Sequence, residues 1–131
     1  MDFNEVNQQL THRTPQAFLD LMQEQTQEDN PYFIFDSAID QTFEINVQYL
    51  ESPETLTTAE LTALKRDGFL VVCQTIDGDF IGGTLEETLI IPQSLYKSDI
   101  ESYPHFLSDF FAQYEQGLIT SPLLPKVTTE E

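Results

Sequence analysis

Phe69-Leu70-Val71-Val72-Cys73-Gln74-Thr75, Ile76-Asp77-Gly78-Asp79 and Phe80-Ile81-Gly82-Gly83-Thr84 follow one another without a break. Five consecutive apolar residues, Phe69 to Cys73, describe a central strand covered on both faces. Asp77-Gly78 is the type of pair that supplies positive φ angles in a two-residue hairpin turn. Gly82-Gly83 in the return strand points to a bulge or a close backbone approach. Glu86-Glu87 makes the next turn, and Thr88-Leu89-Ile90-Ile91 reads as a further strand. After a polar crossover from Ser94 to Tyr103, Pro104 opens a helix that sets Phe106, Leu107, Phe110, Phe111 and Tyr114 on one face, with Gly117 as its stop. Leu118, Ile119, Leu123 and Leu124 have the character of a tail folded back on the core.

Upstream, Thr14-Pro15 is an N-cap followed by a proline at the first helical position, and Ala17, Phe18, Leu21 and Met22 continue at helical spacing. Asp29-Asn30-Pro31 stops that helix. Tyr32 to Phe35 reads as a short strand. Thr42 to Tyr49 alternates, with Phe43, Ile45, Val47 and Tyr49 on one side, which predicts a second strand, joined to the first by Asp36 to Gln41. Thr57-Thr58-Ala59-Glu60 fits a capping box for a short helix that buries Leu61 and Leu64 and ends at Gly68. The expected fold is α+β: a mixed, mainly antiparallel sheet of about five strands with helices packed on one side. A chain of 131 residues is expected to be a single domain, with residues 1–12 and 126–131 as mobile ends.

Charge is the strongest compositional feature. Asp and Glu number 23 against 5 Lys and Arg, a net charge of −18, and no basic residue occurs between Thr14 and Leu64. Such a surface repels phosphate backbones and anionic lipid, which excludes nucleic acid and membrane as partners, and attracts a basic protein. The same charge also serves solubility alone. No apolar run is long enough to span a bilayer, and Met1 to Glu5 is no signal peptide. The single cysteine, Cys73, excludes an internal disulfide and suits a reducing, cytoplasmic setting.

Chemistry-bearing residues are sparse. Cys73 sits in the most apolar strand, where a thiol is packing, and neither His12 nor His105 has a sequence partner for nucleophilic catalysis. Asp77-Gly78-Asp79 begins like a calcium loop, but Ile81 and Thr88 stand where oxygen ligands belong. One Cys and two distant His make a poor zinc set. No phosphate loop follows Gly82-Gly83, since no Lys-Ser/Thr comes next. No enzyme activity, cofactor or metal is therefore expected. Tyr32, Tyr49, Tyr96, Tyr103 and Tyr114 are candidate interface residues because each ring has a polar tip.

Gly78-Asp79-Phe80-Ile81 after an apolar strand, Leu89-Ile90-Ile91, and Phe106-Leu107-Ser108-Asp109-Phe110-Phe111 together resemble the C-terminal half of the SUKH superfamily. That group includes fungal cell-wall synthesis regulators and small bacterial immunity proteins. The Leu-Pro pair and Gly-rich loop usual in its N-terminal half do not occur here, and Pro92-Gln93-Ser94 stands in place of its histidine-aspartate pair. The resemblance implies an α+β fold and a protein-binding role without catalytic residues.

The expected function is a non-enzymatic, immunity-type binding domain that holds a basic protein such as a toxin. Its partner-binding residues would be Glu44, Glu51, Glu54, Asp77, Asp79, Glu86 and Glu87. The alternatives are a small ligand-binding or enzymatic domain with its site near Gly82-Gly83, and a regulatory scaffold of the cell-wall-regulator kind.

Overall fold

A computed structural model describes residues 3–24, 33–119, 121, 123 and 124. Helices α1 (Phe3–Gln9) and α2 (Pro15–Glu24) precede strand β1 (Phe33–Phe35). Helices α3 (Ala38–Leu50) and α4 (Thr58–Arg66) then lead to strands β2 (Leu70–Thr75), β3 (Phe80–Gly83) and β4 (Thr88–Ile91). A 3-10 turn at Lys97–Asp99, strand β5 (Glu101–Tyr103) and helix α5 (Leu107–Glu115) complete the order. The class is α+β, as the sequence predicts, and the five strands pair antiparallel in the order β1-β2-β3-β4-β5.

The local signals produce what they encode. Thr14 caps α2 by accepting the Ala17 N–H at 3.1 Å, and Pro15 occupies the first helical position. At α4 the Glu60 N–H donates to Thr57 Oγ1 at 3.2 Å while the Thr57 N–H donates to Glu60 Oε1 at 3.0 Å. The β2–β3 connection differs from the expected two-residue turn. Thr75 pairs with Asp79, leaving the three-residue loop Ile76-Asp77-Gly78 with Gly78 at φ 98°. A type I turn closed by a left-handed glycine is the next commonest hairpin solution.

Three expectations about the sheet are corrected. Residues Thr42 to Tyr49 form no strand; they lie inside α3, which buries Ile39, Phe43 and Val47 and leaves Ile45 and Tyr49 exposed. Ile39, Phe43 and Val47 fit both a two-residue and a four-residue step, and the exposure of Gln41, Ile45 and Tyr49 between and beyond them marks the helix. Asp36 to Gln41 is accordingly the lead-in and first turn of α3, where Asp36 Oδ1 accepts the Ala38 N–H at 2.8 Å. The fifth strand is instead β5, inside the stretch expected to be a crossover. Finally, helices cover both sheet faces. Phe18, Leu19 and Met22 of α2 and Leu107, Phe110 and Phe111 of α5 pack with Phe33, Phe35, Val72, Cys73, Ile81 and Ile90. Ile39, Phe43 and Val47 of α3 and Leu61 of α4 pack on the other side with Phe69, Val71, Phe80 and Ile91.

Strand β2 serves both cores through a bulge. Val71 pairs with Gly82 and Cys73 with Ile81, so Val72 is the extra residue. Val71 turns to the α3 side, whereas Val72 and Cys73 both turn to the α5 side. Opposite the bulge the backbones approach closely: a Cβ on Gly82 would lie 2.7 Å from Leu70 O and from Phe69 Cζ. At Gly83 it would lie 2.7 Å from Glu87 O and 2.8 Å from Leu107 Cγ.

Residues 3–9, in the segment expected to be mobile, form α1, whose Val6 is buried in the α5-side core. Leu124 is buried there too, with Ile119 and Leu123 packed against it, while Leu118 stays exposed. Tyr32, Asp29 to Pro31 and residues 126–131 lie outside the described residues.

The β1 ladder ends at Phe35 opposite Cys73, and beyond it the Val71 N–H is taken by Asp40 Oδ1 of α3 at 2.9 Å. The same carboxylate holds Lys65 Nζ of α4. One side chain thus replaces a missing strand partner and ties two helices to the central strand. Asp40→Ala strands the Val71 N–H and is expected to cost about 1–3 kcal/mol. Asp40→Asn keeps an acceptor there and should cost distinctly less. Urea unfolding midpoints of the two variants check this, and equal losses would show that the Val71 contact contributes nothing.

Candidate interaction surface

The basic side chains of the described residues are largely engaged within the chain. Arg13 pairs with Asp109 and lies 4.9 Å from the Phe106 ring centroid. Lys65 pairs with Asp40 and, at 3.3 Å, with Glu44, and Lys97 pairs with Glu60 at 3.2 Å. Exposed pairs of this kind stabilise little, but they use up the few cations. With 23 acidic residues against 5 basic ones, internal pairing leaves most carboxylates facing solvent or neutral donors.

The seven sequence-predicted residues do not form one cluster. Glu44 stands on the α4 side of α3, and Glu51 follows α3, where its Oε1 accepts the Thr58 Oγ1–H at 2.6 Å. Glu54 is exposed in the same loop. These three belong to the α3–α4 side. Asp77 and Asp79 sit at the β2–β3 turn, and Glu86 and Glu87 at the β3–β4 turn, the opposite end of β3. Glu87 Oε2 accepts the Ser102 Oγ–H at 2.6 Å.

Asp79 is not a surface charge. Its residue is 9% exposed, its N–H donates to Thr75 Oγ1 at 3.2 Å, and its Oδ1 accepts the Gln93 N–H at 2.9 Å. Desolvation raises its carboxyl above the ordinary Asp value; the Gln93 bond opposes this, and the charges of Asp77 and Glu101 add to it. Asp79 is therefore a latch between the β2–β3 turn and the chain after β4.

The outer face of α3 carries a signal that the strand reading hid. Ala38, Gln41, Thr42, Ile45, Gln48 and Tyr49 are all exposed, and none is charged. Tyr49 is 83% exposed. In a chain this acidic, a charge-free helix face with Ile45 and Tyr49 one turn apart has the composition of an interface centre, where charge is depleted and aromatics are enriched. Reading the four-residue step of Ile39, Phe43 and Val47 as helical is what turns Ile45 and Tyr49 outward.

Of the candidate interface tyrosines, Tyr114 is buried on α5, and its phenol is pushed up by desolvation. Tyr103 is half-buried, donating to Glu101 Oε1 at 2.7 Å, and its ring lies 5.1 Å from that of Phe110. Tyr49 and Tyr96 are exposed.

Cys73 and the His105 backbone are engaged in the packing, and His12 is exposed. Cys73 is fully buried, which drives its thiol well above the ordinary value and keeps it protonated. His105 lies at the start of α5, its carbonyl accepting the Thr88 Oγ1–H at 2.8 Å. Among the described residues no three His, Cys, Asp or Glu side chains converge as a metal set. Phe69 and Leu107 pack against the Gly82 and Gly83 backbone, and a cavity of about 590 Å³ opens beside Phe69, Leu70, Lys65 and Leu85.

The chain matches no family model, no curated protein and no solved structure. Among the described residues no helix is long and apolar enough to cross a membrane.

A second concavity lies beside α4. A groove of about 410 Å³ runs between α4 and the β4–β5 end of the sheet, floored by Leu56, Leu64, Leu89, Ile91 and Ile100. Glu60, Asp67 and Lys97 stand on its rim.

The Asp79 environment gives a pH prediction. A folded-state pKa raised above the unfolded one means that the native state binds the proton more readily, so this residue's contribution falls as pH rises through the folded pKa. Asp79→Asn, which keeps an acceptor for Gln93, should be more stable than wild type at pH 7. That advantage should shrink as pH drops through the carboxylate range, as read by thermal unfolding of both proteins between pH 7 and pH 4. An advantage that grows toward acid would contradict it.

Proposed function

We propose that this chain is a non-enzymatic, cytoplasmic protein-binding domain of the immunity type, which holds a basic partner protein such as a toxin. The observation that carries the reading is the imbalance of 23 acidic to 5 basic residues, together with the engagement of Arg13, Lys65 and Lys97 inside the fold. An anionic surface of this kind accelerates encounter with a cationic protein and discriminates against anionic ones. The resemblance of Gly78-Asp79-Phe80-Ile81, Leu89-Ile90-Ile91 and the α5 segment to the SUKH superfamily supports a binding role.

Within this reading the contact is centred on the outer face of α3. Ile45 and Tyr49 supply the dry centre, and Glu44, Glu51 and Glu54 supply acidic rim. Asp77, Glu86 and Glu87 act at longer range, through the field they add rather than through a shared patch. Asp79 drops out of the contact because its carboxylate is committed to Gln93.

Two expectations test the reading on the product of the adjacent reading frame or another captured basic protein, once purified. Raising the salt from about 50 to about 300 mM should slow association about tenfold or more, with a smaller change in dissociation. A salt-independent association rate would refute the electrostatic part. Tyr49→Ala should weaken the complex by about 2 kcal/mol through faster dissociation, while Glu54→Gln should chiefly lower the association rate. Full affinity in Tyr49→Ala would remove α3 from the interface.

A further inference from the structure

The groove between α4 and the β4–β5 end of the sheet has a carboxylate at one end that the fold itself holds in place. Glu60 is the third residue of α4 and closes the Thr57 capping box. Its Oε1 accepts from the Thr57 N–H at 3.0 Å and from the Thr57 hydroxyl at 3.2 Å. Its Oε2 is left to face a cation, and Lys97 Nζ stands there at 3.2 Å. The helix cap thus holds a carboxylate in one orientation before any ligand arrives. Most carboxylates on a solvated surface would have to be ordered by the ligand itself, at a cost in side-chain entropy.

Beside that carboxylate lies apolar surface. Leu89 and Ile100 remain half-buried, and with Leu56, Leu64 and Ile91 they floor the groove. Asp67, the residue that ends α4, adds a second carboxylate to the rim. An aliphatic floor ending in a fixed carboxylate is the complement of a lysine or arginine side chain, which lays its methylenes on apolar surface and keeps its charge at the polar end. Lys97 is the only basic residue lining the groove. Its backbone is anchored through its N–H to Glu54 O at 2.9 Å, and the side chains of Lys97 and Glu60 are 39% and 43% exposed. A pair that open to water contributes little and exchanges readily.

We propose that this groove is a receptor site for one alkyl-cationic side chain, an arginine or lysine of the basic partner, and that Lys97 holds its place in the free chain. On binding, the incoming cation takes Glu60 Oε2 from Lys97, and the released lysine swings toward solvent. The identity of the occupant rests on the reading of the chain as a binder of basic proteins; the groove's preference for an alkyl cation rests on its own geometry.

The test uses small probes on the whole chain: n-butylguanidinium and n-pentylammonium, with n-pentanol and pentanoate as neutral and anionic counterparts. Backbone amide shifts of Ala63, Asp67, Lys97 and Ile100 are followed by NMR at constant ionic strength. The alkyl cations should give saturable shifts confined to the groove, and the neutral and anionic probes should not. Glu60→Gln keeps the capping box, since glutamine serves equally at that position, and should abolish the preference for cations over n-pentanol without lowering the melting temperature much. Lys97→Ala should tighten cation binding about twofold to fivefold, the worth of an exposed pair. Shifts spread evenly over the acidic surface without saturation would mean condensed counter-ions only and overturn the site. So would equal responses to cation and alcohol, or unchanged binding in Glu60→Gln. If the probes fail while a basic protein still binds in a salt-dependent way, the groove falls and the acidic-surface reading stands. If the probes bind as described and no basic protein does, the site stands with a free alkyl cation as its ligand.

Discussion

Strand β2 must be dry on two faces at once, and the rest of the fold is arranged around that demand. A strict alternation would send Val71 and Cys73 to one core and Val72 to the other. The bulge at Val72 changes this division, giving Val71 to α3 and α4 and both Val72 and Cys73 to α2 and α5. The irregularity tightens the contact with β3, and only glycine is tolerated at 82 and 83 against the Phe69 ring and Leu107. It coincides with the end of β1, so the central strand needs another acceptor for Val71. Asp40 provides it and recruits Lys65, which makes the orientation of α3 a consequence of the sheet.

Local chemistry was the legible part of the sequence. The Thr14-Pro15 start, the Thr57/Glu60 box and the helix-ending glycines at 68 and 117 each depend on a few adjacent residues and took the expected form, whereas Gly78 took its positive φ in a loop one residue longer than expected. The buried face of α5 was legible because Phe106, Leu107, Phe110, Phe111 and Tyr114 leave no second period to choose. The misreading at Thr42 to Tyr49 has a definite cause: Phe43 and Val47 satisfy both periods, and the exposed apolar pair Ile45 and Tyr49 completed a false alternation. Strand β5 was hidden for the opposite reason. Glu101-Ser102-Tyr103 is a polar edge strand with no apolar pattern, defined only by its pairing with β4.

The site was less legible than the fold. Net charge carries the proposal of a basic partner, yet position along the chain did not reveal which carboxylates were already committed. Asp79 reads as a turn charge and is a buried latch, whereas Glu60 reads as a helix cap and also presents an oxygen to a groove. Both distinctions arise from residues far away in sequence, Gln93 and Lys97, which the sheet and the 3-10 turn bring close. The helices on both faces matter here as well. With α3 packed over β2, the β4–β5 end of that face keeps Leu89 and Ile100 only half-covered.

Strand β1 stands at the margin of the sheet and exposes Ile34, at 46%, between the buried rings of Phe33 and Phe35. A strand of three residues offers only a short unpaired edge, which itself limits addition of another chain. Mutual repulsion between copies carrying −18 charges each opposes that addition at neutral pH. Neutralising the carboxylates, whether by acid, by multivalent counter-ions or by substitution, lowers that repulsion, so the colloidal behaviour of the chain is set by the same charge on which its proposed recognition rests.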